Sequence, residues 1–446
     1  MTAGDTSAET QTGLPLIRVA DLRLPIQYVD YTVFTIFFVA TLVFPMQQRW
    51  PVRIALFAVF IATRILALHL QNRLRFNFYN LHLPLAYALF GAAYCFYGIF
   101  AGNPGPVQVS PLHVFYPLAL GFLAATCTLS EAKKVFRLLF LLCGLDSFLI
   151  LMVYYLKLKG MQSVPFFDNA VTDFGQGYTK MSFPLLDVLN FSTPFFVFSY
   201  RYVKSWRWLY YVVLGLTIIA AVLTGRRATW IVLLASFAGL LVTRQISVGA
   251  FVKLVIVAGG AIALAFALGG LNFDVLLSRL LSGFKVVDVV DHHGAYARAQ
   301  QYGALLRGFF DSPLFGHGLG ATAAEYGVIR SFQQPWAYEL VYVYYFYALG
   351  LFGVTVYGLS ILWLLAKMRE FAAKFDLWQY HVPLIAGLVG FMMAGSSNPY
   401  LQKIDYIFVF FVPYAFITAC IAEQRASIGS SASGSLHEKG EVGEPN

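Results

Sequence analysis

The chain has 446 residues, 59% hydrophobic and only 12% charged, with a net charge of +9 and a mean hydropathy of +0.67. A soluble protein carries about 25% charged residues, so this composition excludes a soluble domain and points to a polytopic membrane protein. The positive balance is spread over short connections between apolar stretches, which excludes a nucleic-acid-binding reading.

Residues 1–27 form an N-terminal segment whose first part, 1–13, is polar, Thr-rich and without the apolar core of a signal peptide. The first span is therefore expected to serve as the insertion signal. A bilayer core takes about 20 apolar residues per helix. With that window the transmembrane domain, 28–426, reads as about twelve spans: 28–44, 52–70, 78–100, 107–127, 135–156, 186–200, 208–224, 229–242, 250–271, 338–366, 381–396 and 404–422. The tail 427–446 is rich in Ser, Gly and Glu and is expected to be disordered.

Orientation follows from the basic residues of the short connections. One set carries Arg18 and Arg23, Arg73 and Arg75, Lys133, Lys134 and Arg137, Arg201, Lys204 and Arg207, Arg244 and Lys253, Lys367, Arg369 and Lys374, and Arg425. The alternate set is poorer, with no charge between Ala101 and Pro106. Both termini are thus expected to be cytoplasmic. Four cysteines, Cys95, Cys127, Cys143 and Cys420, all fall inside spans and read as apolar filler. Asp146, Arg64 and Asp187 are the ionisable residues of interest within spans, with Arg64 expected to snorkel and Asp187 close to an outer end.

Two outer loops are too long to be plain connections. The first, 157–185, carries Asp168, Asp173, Tyr178 and Lys180. The second, 272–337, is the largest polar element and is expected to cap the membrane domain. Within it, 295–310 reads as an amphipathic helix with Ala299, Tyr302, Leu306 and Phe309 on one face. Arg298 falls on that apolar face, where a guanidinium needs an acid, a carbonyl or an anionic ligand. Asp311-Ser-Pro ends the helix and a Gly-rich turn follows through His317 to Gly320. Glu339, after Tyr338, then stands at the outer mouth of the tenth span, where the helix dipole also favours a carboxylate.

Arg226 and Arg227 follow the apolar run 209–223 on the outer side, against the usual charge bias of membrane topology. With Lys180, Arg298, His317, Glu339, Asn398-Pro-Tyr400 and Lys403 they form a set of cations and one carboxylate drawn from separate segments to one membrane face. That set suggests a pocket for an anionic lipid-linked substrate, because the planar arginine fork grips two phosphate oxygens at once. His317, inside a Gly-rich turn, also has a structural reading. Asp288, Asp291, His292 and His293 fit no standard metal spacing, and Asp291 reads as a helix cap.

Thr224-Gly-Arg-Arg-Ala-Thr-Trp230, then Arg298 ahead of Ser312-Pro-Leu-Phe-Gly-His-Gly-Leu-Gly320, then a polar residue opening a helix that continues into Gly350-Leu-Phe-Gly353, resemble the O-antigen polymerase and O-antigen ligase superfamily. The resemblance covers roughly 209–406, and the N-terminal half shares only hydropathy. It implies an all-α, polytopic, GT-C-like membrane fold with a large periplasmic loop carrying amphipathic helices. It also implies that Arg227 and Arg298 hold the pyrophosphate of an undecaprenyl-linked glycan. The ligases of that family place a His, followed by Asn, eleven residues before the first Gly of the closing motif. Here that position is Glu339, followed by Leu340. This departure, with the Asn398-Pro-Tyr-Leu turn, favours polymerases of O-antigen or exopolysaccharide over ligases.

The implied reaction is metal-independent and inverting and uses no cofactor. Arg227 and Arg298 stabilise the leaving pyrophosphate, and Glu339 accepts the proton of the attacking hydroxyl. Arg226, His317, Lys180, Tyr338, Asn398 and Tyr400 are expected to bind substrate. The implied partners are a lipid-linked glycan donor, a glycan acceptor, the bilayer and a chain-length regulator, at the bacterial inner membrane. The alternatives are a ligase acting on lipid A core and a transporter or flippase, though no internal repeat of the transporter kind is visible.

Overall fold

A computed structural model of the chain describes residues 16–19, 22–43, 50–73, 78–161, 170–173, 179–182, 184–200, 203, 207–243, 246–269, 293–329, 332, 334–396, 398–403 and 406–438. Regular secondary structure among these residues is helical apart from two short antiparallel hairpins. Among the described residues, six helices are long and apolar enough to cross a membrane: Val52–Leu70, Leu81–Phe100, Pro106–Ala125, Leu129–Leu158, Val248–Ala267 and Val341–Lys374. Ile26–Leu42, Leu185–Ser199, Arg207–Leu223 and Arg227–Thr243 are apolar but shorter. The chain is a helical, membrane-embedded protein.

The chain falls into two compact units. The first comprises residues 1–41 and 46–77. In it β1 (Leu16–Val19) pairs with β2 (Leu22–Pro25), and helices α1 (Ile26–Leu42) and α2 (Trp50–Leu70) follow. The two helices meet along Phe34, Phe37 and Phe60, whose rings lie 5.2 to 5.6 Å apart. Arg64 does not snorkel to an interface. It binds Asp30 at 2.7 Å, with both side chains almost out of solvent, because a charge inside a span is tolerated when it is paired.

The second unit, residues 42–45 and 78–446, holds the remaining helices. These are α3 (Phe78–Phe100), α4 (Pro106–Ser110), α5 (Tyr116–Ala125), α6 (Leu129–Leu158), α7 (Leu189–Ser199), α8 (Arg207–Leu223), α9 (Arg227–Thr243), α10 (Val248–Gly269), α11 (His293–Asp311), α12 (Val341–Lys374), α13 (Trp378–Gly395) and α14 (Phe408–Glu438). A π-helical turn, Pro111–Phe115, joins α4 to α5. The loop 157–185 carries a hairpin of β3 (Ala170–Asp173) and β4 (Thr179–Ser182). α11 ends at Asp311 as the Asp-Ser-Pro signal predicts. α14 runs on to Glu438, so part of the tail expected to be disordered is helical.

α7 is the buried centre of this unit. Its Phe191, Phe195 and Phe196 are fully enclosed, and Gly387 and Gly390 of α13 let the two backbones close. A Cβ at these glycines would come within 2.6 Å of Phe191 and 2.5 Å of Pro194. Small residues at such a seam are how membrane helices gain packing contact without a hydrophobic driving force. Polar groups stitch the other seams: Ser147 on α6 meets Thr217 on α8 at 2.8 Å, and Thr418 on α14 donates to Ala124 O of α5 at 2.7 Å. α6 starts at a capping box in which Thr128 and Glu131 bond each other's backbone N–H.

The Gly-rich turn has a specific use. α12 is broken at Gly350, whose φ of +62° and ψ of −173° leave helical geometry. The loop from Pro313 to Gly320 enters this break and supplies the lost backbone bonds. Leu351 and Phe352 donate to Pro313 O and Leu314 O at 2.8 and 3.0 Å, while His317 and Gly318 donate to Tyr347 O and Ala348 O at 3.0 and 2.8 Å. A Cβ on Gly350 would lie 2.4 Å from Leu314 O, and one on Gly316 would lie 2.5 Å from Gly350 N. Gly350 thus admits a loop into the helix.

Candidate functional site

Two ionic clusters lie at one end of the second unit, where α8, α12, α13 and α14 turn. The first is built on Asp187, in the 3-10 turn Pro184–Val188 that leads into α7. Its carboxylate is 1% exposed. Arg226 donates to its Oδ1, Lys403 Nζ reaches Oδ2 at 2.8 Å, and the Tyr406 hydroxyl donates to the same oxygen at 3.0 Å. Arg226 also contacts the Tyr400 hydroxyl at 3.4 Å. Lys403 Nζ stands 5.7 and 5.8 Å from the ring centres of Tyr400 and Tyr406, within cation–π range.

Local sequence explains each position. Gly225, with φ of +66°, closes α8 in the left-handed conformation and turns the next residue back toward the bundle. Thr224 Oγ1 accepts the Arg226 backbone N–H at 3.2 Å. Thr229, one turn into α9, donates to Asn190 at 2.9 Å, and Asn190 in turn donates to Asp187 O at 3.2 Å. Asn398-Pro-Tyr400 forms the turn that leaves α13, with the Tyr400 N–H donating to Asn398 O at 2.8 Å, and so delivers Tyr400 and Lys403 to the cluster.

Burial works against the Arg226 charge, but the Asp187 carboxylate more than restores it, so the guanidinium stays charged well above its ordinary range. Burial, and then the same carboxylate, push the Tyr400 phenol up to about 12, which keeps it protonated. Among the described residues, two cations face one acid here, an excess of positive charge. Arg226 and Lys403 keep part of their side chains open, at 16% and 33% exposure.

The second cluster is Arg298 on α11 with Glu339 ahead of α12, joined Nε to Oε2 at 2.6 Å. The pair is accessible, at 43% and 25% exposure. Gln301 Oε1 accepts the Glu339 backbone N–H at 3.0 Å, so α11 holds the residue by both backbone and side chain. Arg298 therefore finds the acid that its place on an apolar face calls for. α12 links the two clusters: Tyr342 donates to Met392 O at 2.6 Å and Tyr345 to Leu401 O at 3.3 Å, the residue after Tyr400.

The other residues read from the sequence sit differently. Arg227 opens α9 on the surface while its neighbour Arg226 turns inward. His317 stacks on Tyr347 with centroids 4.5 Å apart and bonds Gly308 O at 2.8 Å, which holds α11 against α12. Tyr338 is fully buried, and its hydroxyl accepts the Ala323 N–H at 2.6 Å, bracing the segment between α11 and α12 from inside. Lys180 lies on β4 opposite Thr172, with its side chain outside the described residues. Asp168, Tyr178, Asp288, Asp291 and His292 also lie outside the described residues.

Asp187 is the member that sequence reasoning missed. Its signal was an acid at an outer span end, on the face where unbalanced cations gather. A further polar pair, His113 of the π turn and Tyr357 of α12 at 3.2 Å, is buried deeper in the bundle. No protein-family model matches this chain, and no curated protein matches it in sequence.

Proposed function

We propose that this protein is an inner-membrane glycosyltransferase that polymerises lipid-linked oligosaccharide units on the periplasmic face, as its resemblance to the O-antigen polymerase and ligase superfamily implies. The observation that carries the reading is the convergence of a net-positive cluster and an accessible Arg–Glu pair at one end of the bundle. In this reading the chain crosses the membrane about twelve times, with both termini cytoplasmic.

Arg226, Arg227, Lys403 and Arg298 bind the donor's pyrophosphate. Without substrate, Arg298 and Glu339 hold each other. A diphosphate offers the guanidinium a competing bidentate partner, which frees Glu339 for the acceptor hydroxyl. Glu339 takes the hydroxyl proton as that oxygen attacks the anomeric carbon. The bond from carbon to phosphate oxygen breaks, and its electron pair leaves on the diphosphate, where the arginines stabilise the added charge. One displacement inverts the anomeric centre. Proton transfer of this kind typically contributes about 10²- to 10⁴-fold.

The test is the surface polysaccharide of cells lacking the gene, with wild-type or Glu339→Gln protein restored. Single repeat units on their usual carrier in the deletion and the variant support a polymerase. Full-length chains left on the lipid carrier, with bare lipid A core, would make it a ligase. Unchanged polysaccharide in the deletion would overturn both. A transport reading draws on one observation, the buried Asp146 inside α6, whose carboxylate oxygens have no hydrogen-bond partner.

A further inference from the structure

The foot of the cap carries exposed apolar side chains in a place where a water-facing loop should be polar. Phe310 lies in the last turn of α11, and Leu314 and Phe315 lie near the start of the loop that enters the Gly350 break; all three are more than half exposed. Residues nearby on the same element are charged and exposed, including Arg307 and Asp311.

The patch continues the exposed apolar sides of two helices long enough to cross a membrane. The Phe315 ring packs edge-on against Phe352 at 5.8 Å, and Phe352 lies 5.9 Å from Phe90 on α3. Phe352, Leu351, Leu89 and Phe96 are themselves exposed along the sides of two membrane-length helices.

Helix lengths give the height of the patch. α12 has 34 residues, about 51 Å at about 1.5 Å per residue, while the hydrocarbon core is about 30 Å thick. The 21 residues from Gly350 to Glu370 already fill about 30 Å and end among Lys367, Arg369 and Glu370, so the hydrocarbon-spanning part of this helix starts at Gly350 and not at 338 as hydropathy reads it. α3 supplies an independent ruler. From Phe78 to Gly98 is again 21 residues, about 30 Å. Its ring contacts run antiparallel to α12, His82 on Trp363 at 5.5 Å and Tyr87 on Tyr357 at 4.4 Å. Both rulers end at one level, because Gly98 touches Gly318 in the loop that Gly350 admits. α11 descends beside the first turns of α12, with Arg298 at Glu339 and Phe309 at Phe346. Its last residues therefore arrive at that boundary.

We propose that Phe310, Leu314 and Phe315 insert at the headgroup–acyl boundary of the leaflet on the Glu339 side, so that the cap stands on the membrane and the height of both ionic clusters above it is fixed. Tyr345, which bonds the Leu401 carbonyl, is five residues above the break, about 8 Å. That is the depth of the headgroup zone, about 5–8 Å. The Arg226–Lys403 cluster thus lies level with lipid phosphates, and Glu339 stands above it.

A photoreactive benzophenone amino acid placed at position 315, 314 or 310 of the full chain in native membranes tests this. Position 352 is the lipid control, and position 302, an exposed tyrosine higher on α11, is the water-side control. The expected result is lipid adducts at 310, 314 and 315 that approach the yield at 352 and exceed that at 302 several-fold. Yields at 310, 314 and 315 no higher than at 302, with 352 labelled, would overturn the proposal. No adducts at 352 either would overturn it together with the membrane reading of α12. Neither outcome depends on the glycosyltransferase reading, which the polysaccharide gel tests separately. Phe310→Ser, Leu314→Ser and Phe315→Ser together give a second check: in vesicles the backbone amides of 307–316 in the full chain should lose protection from hydrogen exchange relative to the wild type. Equal protection in variant and wild type would also overturn it.

Discussion

A carboxylate that is almost wholly buried and shared by two cations is costly to disturb on either side. Removing one partner of a buried ion pair typically costs about 3–5 kcal/mol, because it strands the other charge. Asp187→Ala leaves both Arg226 and Lys403 without their counter-ion and should destabilise the purified protein by about that amount. Arg226→Ala added to it should cost less than the two single changes summed, because the stranded charge goes with it. Thermal unfolding in detergent of the two singles and the double gives the cycle, and additive losses would show that the pair is not coupled. Tyr338 makes the opposite case. Its hydroxyl accepts a buried backbone N–H, so Tyr338→Phe should cost about 1–3 kcal/mol while turnover per folded molecule stays unchanged. Loss of turnover at wild-type stability would return Tyr338 to the substrate-binding set. The sequence made Arg226, Tyr400 and Glu339 legible because polar residues in a chain this apolar demand a reason. It hid Asp187, because one acid at the end of a short span looks like any helix cap until the fold brings Arg226 and Lys403 to it.

At the scale of elements, the apolar runs carry helix, and α11 matches its predicted span closely. What periodicity could not reveal is the break in α12. Gly350 sits in an uninterrupted apolar run, and only the separate loop at Pro313–Gly320, with Gly316, Gly318 and Gly320 all at positive φ, explains why the helix parts there. Hydropathy is blind to such a pairing because it reports burial and not backbone hydrogen bonding. Gly350→Ala must place a Cβ within 2.4 Å of a carbonyl oxygen at a φ of +62°. A positive φ with ψ near 180° is a backbone region that essentially only glycine adopts and costs about 1–3 kcal/mol, so this variant should show a markedly lower melting temperature and reduced yield. Gly358, farther along the same helix, has open space around it. Gly358→Ala should be neutral or stabilising by up to about 1 kcal/mol through helix propensity. Equal effects at the two glycines would refute the loop-in-break account.

At the scale of the molecule, the second unit has two unlike poles. One gathers Asp187, Arg226, Lys403, Arg298 and Glu339. The other holds Lys133 over the Tyr380 ring at 5.8 Å, with Lys367 paired to Glu370 at 2.6 Å. The second pole belongs to the basic set that orients the chain by the positive-inside bias, so it should face the cytoplasm and the ionic clusters the far side. Glu325 beside the first pole and Arg137 near the second are both exposed, which makes them usable reporters. In intact right-side-out cells a membrane-impermeant maleimide should label Glu325→Cys and spare Arg137→Cys until the membrane is permeabilised. The native thiols Cys95, Cys143 and Cys420 are buried and should add little background, and Cys127→Ser removes the one that is partly exposed. Labelling of Arg137→Cys alone would invert the topology and move the clusters to the cytoplasmic face, where the lipid-linked donor of a periplasmic polymerase is not presented. Labelling of both in intact cells would contradict the two-pole fold itself, because α6 would then no longer carry Arg137 to the side opposite Glu325.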